Sequence, residues 1–94
     1  MKEFNKYLLE KEKELINSLG DKQKEGELAI YKTVIAQISQ YPDLEICKEN
    51  LILTKKMYKK VLEVAYATGS KDYINFIEGF TEGLDNILIK IENL

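Results

Sequence analysis

Toward the C-terminal end of the chain, Tyr73, Ile77, Phe80, Leu84, Ile87 and Ile91 follow one another in alternating steps of four and three. A half-buried strand repeats every two residues, so this spacing fits a helix with a heptad-like apolar seam. Ile74, Leu88 and Ile89 fall beside the seam and widen it. A helix that is apolar beyond one stripe needs cover on more than one side. The pattern predicts a long helix over 71–93 and, around it, an all-α protein.

The rest of the sequence extends that reading. Phe4, Tyr7, Leu8, Leu15, Ile16 and Leu19 make one helical stripe and predict a helix over 3–19, with the alternating charges from Glu10 to Glu14 on its solvated part. Residues 20–26 are polar and bracketed by Gly20 and Gly26, so they read as a loop, although Lys, Gln and Glu also suit a continuing helix. Leu28, Tyr31, Val34, Ile35 and Ile38 predict a helix over 27–40. It ends before Pro42, whose ring disfavours a helical Tyr41. Asp43 is a natural N-cap for a helix over 44–68, which carries Leu44, Cys47, Leu51, Tyr58, Val61, Leu62 and Ala65 at helical spacing. Gly69 closes it, and Ser70 or Asp72 caps the last helix.

The expected architecture is a single domain, 1–94. It is a small bundle of about four helices built on a long C-terminal antiparallel helical hairpin. Leu51-Ile52-Leu53 adds apolar width to the third helix as well. That surplus predicts an oligomer, with the first two helices covering one side of the hairpin and a second copy covering another.

Residue types that are missing remove whole classes of function. There is no histidine, arginine or tryptophan, and Cys47 is the one cysteine. Without imidazole, the usual general base, the Ser-His or Cys-His nucleophile pair and the His metal ligand are all lost. Without guanidinium there is no bidentate fork for guanine edges, so sequence-specific reading of nucleic acid is not expected. A net charge of −2 gives no global pull toward nucleic acid or an anionic membrane. The first residues are charged and lack the apolar core of a secretory signal, and no apolar run nears the ~18 residues of a membrane span. A cytoplasmic protein with no membrane partner is the resulting expectation. No enzyme, metal site or cofactor is expected either.

Gly79 and Gly83 each cost about 1 kcal/mol in a helix interior relative to alanine, so close approach of another backbone is their expected reason. The expected interface therefore comprises Phe76, Gly79, Phe80, Gly83, Leu84, Ile87 and Ile91, and it meets a neighbouring helix or a second copy. Lys55, Lys56, Lys59 and Lys60 project from one side of the third helix and are the basic patch of note. A solvated face is the ordinary account of such a patch. The functional account is anion binding, with Tyr58 or Tyr66 stacking on a nucleotide base. Glu78, Glu82 and Asp85 form an acidic edge that reads as solvated, and Cys47 reads as a small buried hydrophobe.

The stretch Phe76-Ile77-Glu78-Gly79-Phe80-x-x-Gly83-x-x-x-Ile87, about a fifth of the chain, resembles the C-terminal helix of a group of short, uncharacterised helical proteins. These occur in Gram-positive bacteria and their phages. The resemblance implies a phage or mobile-element accessory protein that acts by binding. The group has no assigned activity, so it assigns no residue roles.

Two functional expectations follow. The first is a non-enzymatic helical interaction protein, self-associating, that binds and modulates a larger protein. The second is an oligomeric binder that sequesters a nucleotide signal, of the anti-defence type, through the lysine patch.

Overall fold

The computed structural model describes residues 1–18 and 20–94. They form α1 (Lys2–Leu15), α2 (Lys22–Gln40), α3 (Leu44–Thr68) and α4 (Lys71–Glu92). The all-α bundle read from the sequence is what the chain adopts, and α3 and α4 form the expected hairpin. Three of the four helices start at side-chain caps. Asp21 accepts from the Gln23 and Lys24 amides, Asp43 from those of Glu45 and Ile46, and Ser70 from that of Tyr73. Each cap satisfies donors that the first turn of a helix leaves free.

Two boundaries differ from expectation. α1 stops at Leu15, not 19, because Asn17 and Ser18 turn the chain: the Ser18 amide bonds back to Leu15 and that of Asp21 to Ser18. Leu19 itself lies outside the described residues. Gly20 then takes φ 102°, a left-handed conformation that costs glycine little. The second difference is that α2 begins at Lys22, so most of the segment expected to be a loop is helix. Asp21 supplies the start, and Gly26 sits inside the helix, where its missing side chain serves packing.

α2 is the central helix. It runs along α4 over the largest contact in the molecule and carries α1 on another side, while α3 packs mainly on α4. The core gathers Phe4 and Leu8 from α1 and Ile30, Tyr31, Val34 and Ile38 from α2. Cys47 and Leu51 of α3 join them, with Phe80, Leu84, Ile87, Leu88 and Ile91 of α4. Ile30 lies off the stripe read for the second helix and is nonetheless buried, because α2 is covered on two sides. At the far end, Lys90 of α4 lies over the Tyr7 ring and within 3.8 Å of Glu3, joining the last helix to the first.

Candidate functional site

The α4 seam is consumed inside the chain. Leu84 and Ile87 are fully buried, and Phe80 and Ile91 are each only 8% exposed. Gly79 packs against the backbone carbonyl of Gln23, and Gly26 packs against that of Phe76. A methyl group at Gly83 would come within 2.7 Å of Ile30 Cγ2. The glycines thus serve the close helix approach expected of them, and the approaching helix is α2 of the same chain. Of the two neighbours expected for Phe76, Gly79, Phe80, Gly83, Leu84, Ile87 and Ile91, a helix of the same chain or a second copy, the fold supplies the first. The physical reason is the early start of α2, whose first turns bring Gln23 and Gly26 to Gly79 and Phe76. Tyr73, the first member of the seam, is 46% exposed and lies beyond that cover.

The lysines of the patch spread around the outer surface of α3. Lys55 lies beside Asp85, Leu88 and Glu92, while Lys60 lies on the other flank beside Val61, Val64 and Tyr73. Lys56 and Lys59 are exposed between them. Lys55 Nζ is 2.9 Å from Asp85 Oδ1, an oxygen shut off from water that has no other partner. Tyr58 is not free to stack on a base, because its ring already lies on Phe80, with centroids 4.3 Å apart and planes 20° apart. Tyr66 donates its hydroxyl to Glu78 Oε2 at 2.6 Å, a bond that raises the phenol above its ordinary pKa.

The acidic edge of α4 is a set of ties to neighbouring helices. Glu78 accepts from Tyr66 of α3, Glu82 accepts from Gln23 of α2 at 3.0 Å, and Asp85 pairs with Lys55 of α3. Glu27 of α2 lies near Glu82, and partial burial together with that like charge raises its carboxyl above the usual range. Burial pushes the Cys47 thiol up to about 11, so at neutral pH it stays protonated and unreactive. Burial and the 3.0 Å hydrogen bond to Tyr7 likewise push the Tyr31 phenol well above its ordinary value. No group of three or more metal-ligating side chains gathers among the described residues. No helix among them is long and apolar enough to cross a membrane.

Beyond the core, exposed apolar side chains such as Leu9 of α1 and Ile89 of α4 stand apart, while α3 carries several in a row. Ile46, Leu53, Met57 and Val64 are 42%, 62%, 58% and 61% exposed. Interleaved with Asn50 and Lys60, they run 46, 50, 53, 57, 60, 64, again in steps of four and three. At about 100° per residue these positions share one face, roughly a third of a turn from the buried Cys47, Leu51 and Ala65. The row is about 27 Å long at 1.5 Å per residue. Sequence reasoning noted Leu53 as surplus but missed Ile46, Met57 and Val64. The signal was present in the spacing, masked by two polar members and by the stronger stripe on the neighbouring face.

Comparison of the chain with protein-family models, with curated proteins and with solved structures found no match. Among the described residues the arrangement is a four-helix bundle with a buried core, carboxylates tied to neighbouring helices and an exposed apolar row on α3.

Proposed function

We propose that this protein acts without catalysis, as a small helical interaction module that docks on a protein partner and modulates it through the outer face of α3. One observation carries the reading: Ile46, Leu53, Met57 and Val64 line up on one exposed face of α3, interleaved with Asn50 and Lys60, outside a core that buries none of them. Aligned apolar side chains of this kind mark protein-binding surfaces, whereas scattered ones do not. A helix with anchors in heptad steps fits the groove or the matching face of another helix. The residue inventory supports the same reading: the sequence has no imidazole, and no cluster of metal-ligating side chains gathers among the described residues.

The test is site-specific photo-crosslinking in cells. A photoreactive side chain at Leu53 should yield a discrete set of covalent protein adducts. The same group at Lys13, exposed on α1, should yield none of them. Identical adducts from both sites, or none from Leu53, would remove the support for this surface.

A further inference from the structure

Resting on that reading of the α3 face, we infer that its occupant is a second copy of this chain, packed antiparallel about a two-fold axis level with Lys55. A two-fold interface requires that wherever one residue meets another, the second meets the first. The row on α3 has that symmetry. Ile46 and Val64, Asn50 and Lys60, and Leu53 and Met57 are each centred on position 55. In antiparallel register every apolar member meets an apolar member, and the two polar members meet each other.

Charge decides the orientation. A parallel pair would set Lys60 against the partner's Lys60 inside the seam, a like-charge contact in partly desolvated surroundings. The antiparallel pair brings the Lys60 ammonium to the partner's Asn50 amide oxygen and to the partner's Glu49 carboxylate beside it. Glu49 and Lys60 are both exposed and, at 1.5 Å per residue, about 16 Å apart along one helix, so they do not pair within a chain. Lys56 meets its own copy only at the rim, where water and salt screen the repulsion. Leu53 and Met57, the central pair, supply the dry middle of the contact.

Sedimentation equilibrium of the whole chain between about 5 and 500 µM tests this, the range suited to a contact smaller than a standard interface. The mass should rise from one chain toward two. Leu53→Glu should hold the protein at one chain with its helix content unchanged by circular dichroism. Lys60→Glu and Glu49→Lys should each weaken association about tenfold. The double variant carrying both should recover most of the loss, because the swapped charges meet again only across an antiparallel pair. A single-chain mass throughout, or a double swap no better than its parents, overturns the inference. If that happens while the Leu53 crosslinker still captures a different protein, self-pairing falls and the docking role of the face stands. If neither association nor adducts are found, both fall.

Discussion

α3 and α4 are of similar length, 25 and 22 residues, and both carry apolar residues beyond a single stripe, yet α4 buries eight residues and α3 three. Position in the bundle makes the difference. α4 lies between α2 and α3, and the glycines on α2 and α4 let two backbones close on each other. α3 lies at the edge, rests mainly on α4, and has no helix on its outer side. Apolar content sets how much surface a helix must hide. The neighbours it can approach set how much it does hide.

The strongest test of this contrast exchanges the same residue type in the two places. Leu84→Ala, in the packed seam, should cost about 3 kcal/mol and lower Tm by roughly 15–20 °C. Leu53→Ala, on the α3 row, should change stability by less than about 0.5 kcal/mol. Equal losses in thermal unfolding of the dilute protein would mean that the α3 row is covered after all.

A smaller effect separates the glycines. Gly79→Ala sets a methyl group against the Gln23 carbonyl, a backbone atom that moves only if α2 does. A net loss of about 2 kcal/mol is expected, even after the gain of about 1 kcal/mol in helix propensity. Gly83→Ala meets the end of a side chain, Ile30 Cγ2, and should stay within about 1 kcal/mol of the parent. Denaturant unfolding of both variants would show whether backbone contact is what brings α2 and α4 together.

At the rim between the two helices, Lys55→Ala leaves the shielded Asp85 oxygen without its counter-charge. Both side chains are about half exposed, so the loss should be at most about 1 kcal/mol and should shrink in high salt. The smallest effect lies on the α2 side of the seam. Glu27 has a raised pKa, so the fold favours its protonated form. Its penalty is absent well below the ordinary value of 4.5 and grows as pH rises past that value toward the folded pKa. Glu27→Gln should stabilise the protein by a few tenths of a kcal/mol at pH 7 and flatten stability over that rise. A variant less stable than the parent at pH 7 would show that the carboxylate is held by a favourable contact.

Much of the fold was legible because it rests on local physics. Asp43, Ser70 and Pro42 mark helix ends by capping and ring geometry that act within a few residues. The α4 seam announced a long buried helix through spacing alone. Residues 20–26 were ambiguous for a local reason as well, since strong helix formers and two glycines compete there. Asp21 caps the helix there, and Gly26 is accommodated inside it because its bare backbone packs on Phe76 of α4.

The site was legible only in part. Excess apolar surface was evident on both α3 and α4, but the interface residues were assigned to α4, where the seam is strongest, whereas Ile46, Leu53, Met57 and Val64 of α3 are left exposed. Tyr58 and the lysines looked like one cluster along the sequence. In three dimensions Phe80 takes the ring and Asp85 takes Lys55.

What this chain's amino acids determined by themselves is its helical character, the helix boundaries marked by Pro42, Asp43, Gly69 and Ser70, and the loss of imidazole and guanidinium chemistry. Each follows from backbone preference, periodicity or residue inventory, none of which needs a distant contact. Only the tertiary structure decided that α2 covers the glycine face of α4 and that α3 keeps an apolar row outside. Which of two similar faces is covered depends on how closely distant backbones pack, and spacing within one helix carries no record of that.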